Sequence, residues 1–321
     1  MAPFVRPRSI VRDVWGDADT VLFIFAGSAA EFALSRAVDW LFFTGALPGD
    51  PVGRLFSTAR FAQEIVFDSE EHAERTLSRV RSIHEAVERE RGQQIPAWAH
   101  RDVLYMLIDY SERAYALLRR PLAPAEQREL YDMFRRVGIA LAIPELPATY
   151  DEWRTDRQRH LERDLARSAY TEQLYAQYRR HLGAWRYRVL RWVQTGLVPA
   201  TVGELLGVTR SRWFGWVIRA YRAGGRVGLR PVVHRVFIPA AYRRDVKTLD
   251  YRGTGLGDRE MASPSHPSHR VGDPAARRRA VNGAGTRDVR SIAEGAVAAH
   301  EEVLRIRPAI PVTPPEADAA G

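Results

Sequence analysis

The spacing of its apolar residues constrains this chain more than any other feature. Across the first 250 positions they recur at steps of three and four, the period of one helix face. Proline and glycine punctuate the pattern at Leu47 to Pro51, Gly92 to Pro96, Pro121 to Pro124, Ile143 to Pro147, Gly183 and Val198 to Pro199. No alternating run of useful strand length interrupts it, so the expected fold is all-α, a single multi-helix globular domain. Helix starts are legible too. Asp68 or Ser69 offers a side-chain acceptor to free amides, and Glu70 and Glu71 then sit at the positive end of the dipole. Pro124 to Glu126 and Thr149 to Glu152 open two more helices.

Three segments follow from composition. Residues 1–15 read as an N-terminal extension and residues 16–250 as the helical domain. From about Tyr251 onward Gly, Ser, Pro, Ala and Arg replace the hydrophobic period, so residues 251–321 read as a low-complexity, mostly disordered tail, with a short helix over Val289 to Ile306. Thr20 to Phe43 is apolar enough to raise the question of a membrane span. Glu31, Arg36 and Asp39 lie inside it and would be costly in lipid, so it reads as a core helix, broken near Gly27. The N-terminus lacks the apolar region and cleavage site of a secretory signal. The expected location is cytoplasmic, with peripheral membrane association left open.

The chain has no cysteine, which removes disulfides, thiolate catalysis, iron–sulfur clusters and Cys-type zinc sites. Any metal must rest on histidine or carboxylate. No pair among the nine histidines has the H-E-x-x-H spacing of a zinc protease, and His266 and His269 sit in a Ser/Pro-rich stretch that favours solvation. The formal charge of +9 is uneven. Residues 1–150 hold 18 Arg/Lys against 21 Asp/Glu (net −3), residues 151–250 hold 20 against 9 (+11), and residues 251–321 hold 10 against 9 (+1). Such a basic segment suits anionic lipid, nucleic acid or an acidic cofactor, and equally the solvated faces of Arg-rich helices.

Two neighbouring helices carry the chemistry. On the first, about Val52 to Phe67, Arg54 and Thr58 share a stripe with Phe61 and Ile65 beside a second stripe of Leu55, Ala59, Ala62 and Val66. An arginine there must meet a carboxylate, carbonyls or an anionic ligand, because an unpaired buried charge is costly. On the second, Ala73, Leu77, Val80, His84 and Val87 form one stripe, so His84 occupies a core position. It reads either as a metal ligand or as a core histidine bonded to a carbonyl. His100, in the sequence WAH, is a second candidate ligand or pocket residue, or a residue that caps or lines its helix. Asp109 and Tyr110 are placed to hydrogen-bond a histidine and fix its tautomer, or simply to pack. The run Trp185, Tyr187, Trp192 with Arg186, Arg188 and Arg191 reads as core plus solvated face.

The run DPVGRLFSTARFAQEIVF followed by EEHAERTLSRVRSIHEAV resembles the core of the rubber oxygenase (latex clearing protein) and MpaB-like oxygenase family, and WAHRDVLYMLIDYSERAYALLRRPLAPAEQRELYDMFRRVG with LPATYDEW resembles its second half. The likeness covers roughly residues 20–155 well and 156–250 more loosely. It implies a helical catalytic domain with a b-type haem, and dioxygen activation on a small apolar, isoprenoid-like or lipid-like substrate. By position, His84 matches the proximal iron ligand, and Arg54 and Thr58 match the Arg and Thr of the haem-pocket motif. Ser57 stands where rubber oxygenases carry a lysine able to occupy the distal iron position, so distal lysine ligation is excluded. Glu88 stands where the family often has Arg, and GSAAEFALSRAVDW departs from the R-A-L-L-L-Q-x-A-H-P pattern common in the family.

Two other readings compete. VPATVGELLGVTRSRWFGWVIRAYR has the rhythm of a helix-turn-helix, yet its second helix presents Trp213, Phe214, Trp216, Val217 and Ile218, leaving few polar side chains for base edges. The sequence therefore argues against a nucleic-acid partner. The other reading is a non-catalytic helical protein that binds an apolar ligand or a membrane surface without haem.

Overall fold

In the computed structural model the described residues are 2–251, apart from 39, 41, 43–48, 210 and 227–229. The expected tail, with its short helix and His266, His269 and His300, lies outside them. The helices are α1 (Ile10–Trp15), α2 (Ala18–Phe32), α3 (Pro51–Phe67), α4 (Glu70–Arg91), α5 (Ala97–Leu118), α6 (Pro124–Ala140) and α7 (Tyr150–Arg163). They continue as α8 (Ala169–Leu182), α9 (Ala184–Leu197), α10 (Ala200–Leu205), α11 (Phe214–Arg226), α12 (Arg230–Phe237) and α13 (Arg243–Thr248). Among the described residues there is no sheet, only the isolated bridges Pro3–Ser69 and Ser35–Leu165.

Side chains cap four of the helix starts, with Ser69 and Thr149 where the sequence offered them and Asp17 and Asp50 in addition. Asp17 Oδ1 accepts from Thr20 N at 3.2 Å, Asp50 Oδ1 from Gly53 N at 2.8 Å, Ser69 Oγ from His72 N at 3.4 Å, and Thr149 Oγ1 from Glu152 N at 3.3 Å. Gly92 ends α4 in the left-handed region at φ 69°, where a side chain would be strained.

The most extensive pairing joins α2 to α5, with α1 and α9 also against α2, while α3 and α4 form a hairpin that α6 flanks. α2 runs unbroken through Gly27 and ends at Phe32, which corrects the expected break. Gly27 instead permits close approach: a Cβ there would lie 2.3 Å from Tyr110 Cδ1. Residues before 16, read from the sequence as an extension, pack side chains into the core. Phe4, Val5, Val11, Val14 and Trp15 are buried, and Trp15 meets the rings of Phe25 and Phe134. Gln63, itself buried, donates to Trp15 O at 2.7 Å and Leu249 O at 2.8 Å, tying both ends of the domain to α3.

α2, α5 and α7 are pinned by buried ions. Arg157 donates to both oxygens of Glu31 at 2.6 Å and to Asp109 Oδ2 at 3.0 Å, and Tyr110 donates to Glu31 at 3.0 Å. Burial works against the Arg157 charge, but Glu31 and Asp109 outweigh it and hold its pKa above the usual arginine value. The charges that spoke against a lipid-spanning Thr20 to Phe43 segment thus include a core ion pair. No described helix is long and apolar enough to cross a membrane.

Candidate functional site

α3, α4, α5 and α6, with residues just beyond α2, line an apolar cavity of about 210 Å³ that opens to solvent. Arg54 projects from α3, His84 from α4 and His100 from α5, among Phe32, Trp40, Val87, Leu104 and other apolar side chains. Three of the four sequence candidates therefore share one space. Thr58 does not line it. Its hydroxyl donates to Arg54 O at 3.0 Å, and the Ser57 hydroxyl donates to the same carbonyl at 2.8 Å. Both hydroxyls are spent on the turn that carries Arg54.

The stripe on α4 persists, but its burial fades along the helix. Ala73 and Leu77 are buried, whereas His84 and Val87 are half-buried because the cavity, not packed side chains, lies opposite them. The rings of His84 and His100 lie 5.0 Å apart with a 44° interplanar angle, and neither makes a hydrogen bond among the described residues. Burial, His100 and Arg54 together lower the His84 pKa from 6.5 to about 4, against a smaller opposing pull from Glu88. Burial likewise lowers His100, again opposed by Glu88. Both rings are thus held toward the neutral form that binds metal.

Arg54 is exposed by surface area, at the cavity's mouth, yet apolar surroundings of its guanidinium hold its pKa below the usual arginine value. It makes no ion pair among the described residues, so the structural salt bridge is not what the structure shows. Glu88 Oε1 accepts from Ile95 N at 2.9 Å, which anchors the turn between α4 and α5. Although Glu88 acts electrostatically on both imidazoles, its ligand atoms and theirs do not converge as a three-residue metal site. Two imidazoles held toward the neutral form, an apolar wall and a guanidinium at the rim are groups that could hold an iron porphyrin: an imidazole nitrogen would take the iron and Arg54 an acidic substituent.

Asp109 and Tyr110 are not partners of a histidine, contrary to the sequence expectation. Their distance along α5 from His100 turns them into the Glu31–Arg157 cluster. Sequence reasoning also missed His160, which faces Asp102 and lies 2.9 Å from Asp164, with all three residues buried. Asp156, His160 and Asp164 recur at steps of four along α7, a signal that was legible. Among the described residues these ligand atoms of Asp102, His160 and Asp164 are the ones close enough for a metal, but Arg163 holds Asp164 through two hydrogen bonds of 2.7 and 2.8 Å. Asp102 and Asp164 share the same ring nitrogen of His160, and the second oxygen of Asp102 has no hydrogen-bond partner among the described residues. Trp40, stacked under Arg91 at 3.9 Å, was missed for lack of any periodic signal around it.

A second apolar cavity, about 140 Å³ and open to solvent, lies between α2, α3, α8, α9 and α12, walled by Val21, Phe25, Phe56, Leu190 and Ile238. No histidine among the described residues lines it.

No curated protein and no solved structure matches this chain. A family match does, to the catalytic domain described as ER-bound oxygenase mpaB/B'/Rubber oxygenase, and it spans residues 12–227, 216 of the 321. All three residues that share the cavity lie within that span, and so this chain belongs to the MpaB and rubber oxygenase catalytic-domain family.

Proposed function

We propose that this oxygenase-family domain holds a b-type haem in the His84 cavity and acts on an apolar, isoprenoid-like or lipid-like substrate. The observation that carries the reading is a neutral imidazole, His84, kept unprotonated inside an apolar space that also receives Arg54. His84 would hold the haem iron, through a ring nitrogen that makes no hydrogen bond among the described residues. Bound there, the haem supplies the dioxygen chemistry. Arg54 pairs with an acidic group of the cofactor or with negative charge developing at the rim. Thr58 positions Arg54 by bonding its carbonyl one turn away. His100, facing the same space, is the second imidazole able to hold or pass a proton, since Ser57 leaves no lysine for that side. The apolar lining limits water around the reacting groups and selects an apolar substrate.

Protein purified from haem-supplemented cells should show a Soret band that shifts with dithionite and carbon monoxide. His84→Ala should lose or strongly shift that band, while His100→Ala should retain haem with an altered spectrum. Colourless wild-type protein would overturn the assignment. The second cavity favours a different reading, in which the domain binds an apolar ligand without haem. Absorbance separates the two.

A further inference from the structure

α11 carries apolar residues on its solvent-facing side as well as on the side it packs inward. Its inner side is anchored: Phe214 is buried against Trp192 at 4.6 Å and sits over Gly196, where any Cβ would collide with its ring. Ile218 is buried, Tyr221 meets Phe23 at 6.1 Å, and Arg222 donates to Arg119 O at 2.5 Å. The outer side, at the helical spacing 213, 216, 217, is where a surface helix in water carries polar groups. Here Trp213 is 59% exposed, Trp216 64% and Val217 47%. Exposed arginines edge this face, Arg212 at 5.1 Å from the Trp213 ring centroid and Arg219 at 4.6 Å from that of Trp216. Between Glu204 and Asp245 the sequence has nine arginines and no acidic residue.

We infer that this outer face of α11 docks on an anionic lipid bilayer, with Trp213, Trp216 and Val217 seated at the headgroup boundary and Arg212 and Arg219 on lipid phosphates. Tryptophan prefers that boundary, and arginine near an anionic leaflet is attracted to it. Charge selects the occupant. A second copy would bring one arginine-rich, acid-free stretch of sequence against another, and nucleic acid would find aromatic rings where base edges need donors and acceptors. The inference is independent of what the His84 cavity holds.

The test is co-sedimentation of the full chain with vesicles of phosphatidylcholine alone and of phosphatidylcholine mixed with phosphatidylglycerol. Binding is expected to the anionic vesicles, weakening with salt. Arg212→Gln with Arg219→Gln should weaken it about thirtyfold, the ratio that ~1 kcal/mol per arginine gives for two. Trp213→Ser with Trp216→Ser should reduce it at least as far, and neither pair touches the core. Bromine-labelled acyl chains should quench tryptophan emission of the unaltered protein. Equal sedimentation with both vesicle types, binding indifferent to the tryptophan pair, no quenching, or release by duplex DNA at the same salt would each overturn the inference.

Discussion

Burial, the neighbouring His100 and the cationic Arg54 push the His84 pKa from 6.5 down to about 4, and the sign of that shift is testable. A histidine whose folded pKa is depressed takes up protons more readily in the unfolded chain. The stability this ring contributes is therefore lost progressively as pH falls from about 6.5 through the folded pKa, whereas a bond to metal that needs the neutral ring of the folded protein is retained to about pH 5 and lost only near the folded pKa. Haem retention followed by absorbance between about pH 7 and 4 should stay flat to about pH 5, where an ordinary imidazole is mostly protonated. Loss centred near pH 6.5 would show that the ring is not shielded. At this scale the sequence was informative where periodicity speaks: Arg54 and His84 follow from stripes on two helices. Thr58 shares the Arg54 stripe, yet its hydroxyl can reach a carbonyl four residues back, and no sequence pattern says which partner wins.

The α2–α5 pairing is close because one residue lacks a side chain. Gly27→Ala would place a methyl 2.3 Å from Tyr110 Cδ1, and Tyr110 is fully buried with its hydroxyl committed to Glu31. It cannot withdraw without breaking that bond, so the substitution should destabilise the domain by about 1–3 kcal/mol, measured by urea unfolding. An unchanged midpoint would mean that the two helices slide apart freely. Helix boundaries were readable because caps, proline and glycine act locally. The Glu31–Arg157–Asp109 cluster was not, because its members lie 126 and 48 residues apart in sequence and only the packing of three helices brings them together.

The first fifteen residues complete the core of the whole domain. Ile10, Val11, Val14 and Trp15 are buried, and at ~1.5–3 kcal/mol each their loss rivals the ~5–15 kcal/mol that holds a typical domain folded. Deleting residues 2–15 should abolish cooperative thermal unfolding by circular dichroism, whereas a retained sharp transition would make the segment dispensable. The sequence alone determined the all-helical class, the helix starts at Ser69, Pro124 and Thr149, the lack of cysteine chemistry and the uneven charge, because each is written in local residue order. Tertiary structure decided that Arg54, His84 and His100 meet in one cavity, that Asp109 and Tyr110 serve the ion cluster instead, and that α11 turns tryptophans to solvent. Those are contacts between distant segments, and helical periodicity names the face a residue occupies without naming what that face meets.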